Sequence, residues 1–428
     1  MLIGAGDRVT IPKALISHPH GNANVRNAAL ALAEGGMLRH FWTTVSWNSD
    51  SRLARTLPPT LQDQLSRRSF PGIIRGFVHH HPWREVARLA SIRCGLPFSS
   101  SPLLSPNACA ESLDRRVAKF LNSKQGRTVD LVYAYDHGAL ESFVTASKNG
   151  QRKIYELPIG YWRVLRDVLR EEEEAWPAWK GTSPTIEFDS PEYLRKDEEI
   201  SLADCINVPS AFVEETLRST FPGTLPRIAV VPYGAPPVSN FAVTTTENSG
   251  AGPLRVLYAG SLNLRKGTPY LISALQQLGN RVDVTVVGNF QGQCAPLSQW
   301  LEKVRWIKSL PHRKLLEMMR SNEILLFPTL FEGYGLVALE AMSQGCALIA
   351  TPAFGGVALI ESGTNGFVVP PRSPFAIAEV LDRLDKDRGL LHAIRAASVR
   401  TAAASSWAEY RRSFRDFIES SCNSTGFL

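Results

Sequence analysis

The sequence predicts an α/β protein of two domains, each built on a parallel sheet. Three observations carry that prediction: a length of 428 residues, apolar runs that alternate with helical patterns, and a polar stretch at 238–253 with no apolar period. A chain of this length exceeds one ordinary core, so two domains of about 200 residues each are expected. Strands that alternate with helices build parallel sheets. The polar stretch reads as a linker. The expected domains are then 1–237 and 254–404, with a C-terminal helix in 405–428.

The first series opens with a strand at 13–17, passes through His18-Pro-His-Gly-Asn-Ala-Asn-Val-Arg26, and enters a helix at 27–34 that Gly35 and Gly36 end. Further strands are expected at 130–134, 153–155 and 205–208. Between 50 and 127, Pro, Ser and Arg crowd short helical patterns, which predicts irregular insertions around helices. The second series has strand-like runs at 254–259, 282–287, 323–327 and 347–350, separated by amphipathic helices, and reads as the more regular doubly wound domain. Near the C-terminus Trp407, Tyr410, Phe414, Phe417 and Ile418 share one helical face. That face needs a partner, and a crossing back to the first domain would supply one. No solenoid period is visible, and low complexity is confined to the linker and the run Glu171-Glu-Glu-Glu174.

Hydrophobic residues at 44% and charged residues at 20% suit packed cores and exclude disorder as the main reading. No uncharged apolar run reaches the roughly 18 residues of a membrane helix, and the first residues lack a secretory pattern, so a cytoplasmic location is expected. Six scattered cysteines, Cys94, Cys109, Cys205, Cys294, Cys346 and Cys422, form no CxxC pair, which argues for packing residues over a zinc ribbon or a disulfide framework. The formal charge is +7, and between residues 50 and 93 eight arginines stand against three acids. This arginine-rich segment, 52–93, is either a solvated rim or a contact for phosphate, an acidic glycan or the anionic inner face of a membrane.

In open α/β sheets, ligands bind beyond the carboxyl ends of strands, where helix N-termini present free amides. The strand at 254–259 runs into Gly260-Ser-Leu-Asn-Leu-Arg-Lys-Gly267, where Arg265 and Lys266 suit a diphosphate, a solvated turn being the alternative. The strand at 323–327 runs into Pro328-Thr-Leu-Phe-Glu-Gly-Tyr-Gly335, where Gly333 and Gly335 let backbone approach a ligand before the next helix. Glu332 lies in that turn and Glu340 two helical turns on. A carboxylate accepts hydrogen bonds from adjacent hydroxyls, so the two suit the two sugars of one ligand, a hexose and a ribose. The alternative has Glu332 capping the helix and Glu340 merely exposed.

The stretch Phe331-Glu-Gly-Tyr-Gly-Leu-Val-Ala-Leu-Glu-Ala-Met342 resembles the signature of the retaining GT-B glycosyltransferases of family 4, and Gly345, Pro352, Gly355, Gly356 and Asn365-Gly-Phe-Val-Val-Pro370 extend the resemblance. It covers nearly all of the second domain and reaches 203–212 and 230–234. The resemblance implies two Rossmann-like domains facing each other across a cleft. It also implies transfer of a hexose from a nucleotide-diphosphate sugar to a glycan, lipid-linked or small-molecule acceptor, with retained configuration. By resemblance Glu332 touches the donor sugar, Glu340 holds the ribose and Lys266 binds the diphosphate, with Tyr334 and Leu336 completing the donor turn.

Two positions depart from the family. Ser261 stands where an Arg is usual, and Arg265 offers the missing charge. Glu156 stands where a His is frequent, and His137 offers a nearby imidazole. His137 and Glu156 are therefore the acceptor-side candidates. In the first loop, Gly21 permits close approach, and Asn22, Asn24 and Arg26 suit hydroxyl and phosphate contacts, a helix cap by Asn22 or Asn24 being the equal alternative. Gly4 and Gly6 precede the first strand and so form no dinucleotide fingerprint. Asp385-Lys-Asp387 resembles a metal-binding DxD of another class but follows no strand; no metal, cofactor or nucleic acid is expected. An epimerase or phosphorylase of the same fold, and a catalytically silent nucleotide-sugar-binding subunit, are the rival readings.

Overall fold

The computed structural model describes residues 11–48, 68–94, 101–183, 190–238 and 252–423. Gly4, Gly6, Asp50, Arg52, Arg55, Asp63, Arg67 and most of the expected linker lie outside the described residues.

Seven parallel strands form the first sheet, in the order β3-β2-β1-β4-β5-β6-β7. They are β1 (Ala14–Ser17), β2 (Leu38–Thr43), β3 (Val78–His80), β4 (Leu131–Tyr135), β5 (Arg152–Glu156), β6 (Cys205–Val208) and β7 (Arg227–Val230). β1 and β4 are buried at every residue because helices cover both faces, which is why they read as continuous apolar runs. The connecting helices are α1 (Ala23–Glu34), α2 (Gly72–Arg75), α3 (Trp83–Arg93), α4 (Pro106–Leu121), α5 (Leu140–Lys148), α6 (Trp162–Ala175), α7 (Pro191–Leu202) and α8 (Ala211–Thr220). Segment 68–127 is therefore largely helical in its described part, with β3 adding an edge strand.

The second sheet is also parallel, in the order β10-β9-β8-β11-β12-β13. Its strands are β8 (Leu254–Ala259), β9 (Val282–Val287), β10 (Arg305–Ile307), β11 (Ile324–Phe327), β12 (Ala347–Ala350) and β13 (Phe367–Val368). Its helices are α9 (Thr268–Leu278), α10 (Ala295–Leu301), α11 (His312–Ser321), α12 (Leu336–Ser343), α13 (Pro374–Lys386) and α14 (Arg388–Ala404), followed by α15 (Trp407–Asn423).

Two segments tie the domains together. Between β5 and β6 the chain leaves the first sheet, and Leu169 of α6 and Trp179 of the following 3-10 turn bury themselves with Leu254, Tyr258 and Leu271 of the second domain. There Glu172, fully buried, accepts from Arg372 Nε at 2.5 Å and from Tyr270 Oη at 2.9 Å. In return α15 packs on α1: Tyr410, Phe414 and Ile418 are buried, Phe414 lies 5.2 Å from the Tyr133 ring, and Arg411 and Arg415 reach Glu34.

Several expectations from the sequence take a definite form. Cys109, Cys205, Cys294 and Cys346 are buried and Cys422 half-buried, whereas Cys94 is exposed; all six are free thiols. Asp387 caps α14 by accepting from Leu390 N at 2.8 Å, and Asp385 pairs with Arg388 at 2.6 Å, so the DxD-like pair is structural. No helix among the described residues is long and apolar enough to cross a membrane.

Candidate active site between the domains

The loops at the carboxyl ends of the two sheets meet. Ile159, after β5, bridges Gly333, after β11, and Gly160 N–H donates to Glu332 O at 3.4 Å. A Cβ on Gly333 would lie 2.0 Å from Pro158 O, so only glycine permits this seam.

Arg265 and Lys266 occupy the 3-10 turn Leu264–Lys266 that follows β8. Asn263 fixes the turn, its Oδ1 accepting from Lys266 N at 3.0 Å, and Leu330 N donates to Arg265 O at 2.8 Å to bring the turn after β11 alongside. The Arg265 guanidinium donates to Phe331 O at 2.9 Å and to Glu332 Oε2 at 3.1 Å, and Lys266 Nζ donates to the same carboxylate oxygen. Burial pushes the Glu332 carboxyl up, but the two cations outweigh it and hold the carboxyl below its ordinary range. Burial also pulls the Lys266 ammonium down despite Glu332. Within this turn one carboxylate faces two cations, while Glu340, which lines the same cavity, is paired with His312.

Glu332 does not cap a helix. That position belongs to Gly335, whose φ of 76° lets the chain turn into α12, with the helix amides leading toward the cleft. The cleft, of about 360 Å³, is lined by Ser261, Arg265, Lys266, Glu332, Gly335, Leu336 and Glu340. Seven residues separated by up to 79 positions in sequence thus share one cavity. A second cavity of about 440 Å³ adjoins it through Ser261 and Arg265 and is walled by α6 and by Asn289, Phe290 and Gln291 after β9.

Glu340 is bonded to His312 Nε2 at 2.8 Å, and that hydrogen bond holds the imidazole above its usual range. His312 was not singled out from sequence; its place at the start of the helix after β10 was the available signal, but β10 spans only three residues. Among the described residues no three His, Cys, Asp or Glu side chains group as metal ligands.

The remaining candidates sit elsewhere. Asn22 is the N-cap of α1, its Oδ1 accepting from Val25 N at 3.2 Å, so it takes the capping alternative that its position offered. Gly21 faces protein, since a Cβ there would lie 2.9 Å from the Phe70 ring. Asn24 is buried and donates to Tyr233 Oη at 3.0 Å. Tyr334 packs edge-on against Tyr233, with ring centroids 5.5 Å apart, so its side chain supports the domain junction and does not line the cleft. His137 holds a left-handed φ of 63° after β4; burial drops its imidazole to about 4, and its Nδ1 has no partner among the described residues.

Glu156 is fully buried and turned away from solvent, which corrects its reading as an acceptor-side group. Tyr133 and Tyr233 donate to its carboxyl, and Asn207 Nδ2 donates at 2.5 Å. Burial outweighs these hydrogen bonds and pushes the group up to about 7. Glu199, accepting from Ala139 N at 3.0 Å, is likewise pushed by burial up to about 7. A carboxyl raised in the fold keeps its proton where the unfolded chain has lost it. Its stabilising contribution is present below the ordinary carboxyl range and is lost as pH rises to about 7, on the order of 3 kcal/mol for Glu156. Glu156→Gln is expected to raise the slope of urea stability against pH between about 5 and 7, because it removes a proton that only the fold holds there, while His18, His40 and His137, lowered by burial, act in the opposite sense in parent and variant alike. An unchanged slope would show that Glu156 does not titrate there.

Residues 245–400 match the family described as Glycosyl transferases group 1. A D-inositol 3-phosphate glycosyltransferase of Xylanimonas cellulosilytica is 28% identical over 224 residues, covering 46% of this chain and 52% of its own. An alpha-D-kanosaminyltransferase of Streptomyces kanamyceticus is 31% identical over 140 residues, covering 31% of this chain and 36% of its own. The chain thus spans about half or less of the length of the curated relatives it matches. Among solved structures, Anabaena Alr3699/HepE in complex with UDP superposes with a TM-score of 0.60 at 16% identity, covering 95% of this chain and all of that one. Sucrose-phosphate synthase from Thermosynechococcus elongatus superposes with a TM-score of 0.62 at 17% identity, covering 96% and 98%. The chain therefore has the GT-B fold, two Rossmann-like domains across a cleft, and its second domain is similar over residues 245–400 to the group 1 glycosyl transferases, a class of transferase enzymes.

Proposed function

We propose that the chain is a retaining glycosyltransferase, carrying a hexose from a nucleotide-diphosphate sugar to a glycan, lipid-linked or small-molecule acceptor. The observation that carries this reading is the convergence of Arg265 and Lys266 on Glu332 beside the N-terminus of α12. The Arg265–Lys266 turn carries one cation more than Glu332 balances, where a diphosphate would lie, and the carboxylate stands beside it for sugar hydroxyls. A neighbour of the same fold was solved with UDP-glucose, which supports a nucleotide-sugar donor.

The pairing gives binding an order. A diphosphate entering the cleft competes with Glu332 for Lys266 and Arg265, and the carboxylate so released accepts from the donor's hydroxyls. Glu340 does the same for the ribose once His312 lets go. In the transfer step the bond from the anomeric carbon to the β-phosphate oxygen breaks and its electron pair leaves with the diphosphate. Lys266, Arg265 and the α12 amides stabilise that charge without a metal. The acceptor hydroxyl bonds to the same carbon from the same face, and its proton passes to the departing phosphate oxygen.

The test offers a panel of nucleotide-sugars and acceptors, following nucleotide-diphosphate release and product configuration by NMR. Diphosphate release that depends on acceptor, with an α-donor giving an α-product, is expected. A β-product would overturn retention, and donor binding without release under any acceptor would leave a nucleotide-sugar-binding subunit.

A further inference from the structure

Helix α3 is built inside out. Glu85 and Ser91 face the protein: Glu85 is fully buried, gripped by Arg68 at 2.6 Å and by Arg88 at 2.7 Å and held down to about 2, and Ser91 Oγ donates to Arg88 O at 2.8 Å. Its apolar residues face outward. Trp83 is 77% exposed, Val86 49% and Ile92 55%, and Leu103 on the neighbouring 3-10 turn is 68% exposed. Ten large hydrophobic residues are exposed among the described residues, and six of them fall between 73 and 103. A patch so concentrated marks an interaction surface, not the scatter of single residues normal on a protein in water.

Trp83 also borders a cavity of about 650 Å³ between the start of α3 and the outer side of α4. Arg115, Arg116 and Lys119 line it, against a single lining acid, Glu141, while Glu111 pairs with Arg115 at 3.6 Å. Apolar residues beside a basic hollow, with a tryptophan at the boundary, match the layers of an anionic bilayer surface: acyl chains, then phosphate headgroups. A second copy of the chain fits less well, since a two-fold contact through this face would set basic cluster against basic cluster.

We propose that α3 and the turn Pro102–Leu104 rest on an anionic membrane, with Trp83, Val86, Leu89, Ile92 and Leu103 in the headgroup–acyl boundary and a lipid phosphate held by Arg115, Arg116 and Lys119. Of the arginines in 52–93, Arg68 and Arg88 turn inward onto Glu85 while the apolar residues of α3 turn out, and Arg52, Arg55 and Arg67 lie outside the described residues. The membrane contact deepens the lipid-linked acceptor in the proposed function, yet its test reads binding and not turnover, so either can fail alone.

The full chain is sedimented with vesicles of phosphatidylcholine alone or mixed with phosphatidylglycerol. It is expected to pellet with the mixed vesicles. Trp83→Ser/Val86→Ser/Leu89→Ser should weaken that binding at least about tenfold while keeping the parent melting temperature, and Trp83→Ser alone should weaken it less. Arg115→Ala/Lys119→Ala should remove the preference for the anionic vesicles. The proposal is overturned if the parent stays in the supernatant, if the variants pellet equally well, or if the lipid-free parent is a dimer that the triple variant dissolves.

Discussion

Lys266→Ala is expected to lower kcat/KM for sugar transfer by roughly 10²–10³-fold, because it removes a cation aimed at charge that develops only as the diphosphate departs. The loss should fall mainly on kcat, whereas a residue that only helped the donor dock would raise KM. A second readout separates this role from a structural one. Lys266 and Arg265 together hold the Glu332 carboxyl down against the effect of burial. With Lys266 gone, burial and a single cation remain, so the Glu332 carboxyl moves up and the acid limb of the pH–rate profile moves to higher pH. Lys266→Arg, which restores the charge with a different shape, should return part of the rate and most of the pH profile. Steady-state kinetics on the three proteins across pH check this; an unchanged kcat in Lys266→Ala would remove the diphosphate role.

Gly333→Ala is expected to damage stability and activity together. The added methyl would lie 2.0 Å from Pro158 O and 3.0 Å from Ile159 Cα, both backbone, so no side-chain rotation relieves the clash. The seam between the domains must open, at a cost of about 2 kcal/mol. Glu332 is the preceding residue and sits in that seam through its carbonyl, so its carboxylate shifts with it. A displacement near 1 Å in a positioned group costs about 100-fold in rate. Gly76→Ala, where an added methyl meets nothing within 4 Å, is the control and should leave both properties unchanged. Urea unfolding and kcat/KM measured on the pair decide the matter.

What could be read from sequence follows the range over which each signal acts. The four long strands of the second domain were legible because a buried parallel strand is a compact apolar run between turns. β2 was not, since Arg39 and His40 break its run, and β3, β10 and β13 are two or three residues long and generate no period. The turns bearing Arg265, Lys266 and Glu332 were legible because each directly follows a strand visible in the sequence, and Glu340 was legible because the helix after the second turn carries it. The directions of single side chains were not. Glu156 ends a strand as a ligand group would, yet Tyr233, 77 positions away, and Asn207, 51 away, turn it into the interior. His312 meets Glu340 across 28 positions and two elements. The inverted face of α3 shows the same limit. Its apolar spacing is that of an ordinary amphipathic helix, and only the burial of Glu85 between Arg68 and Arg88 reveals which side faces water.

The exchange of segments between the domains has a consequence for the chain as an object. Leu169 and Trp179 fill sockets in the second core, while Tyr410 and Phe414 close the first. Each half therefore borrows part of its interior from the other, and a cut at 238–253 would leave two incomplete cores, one missing its lid and the other its plug. The unit of folding is larger than either Rossmann-like half.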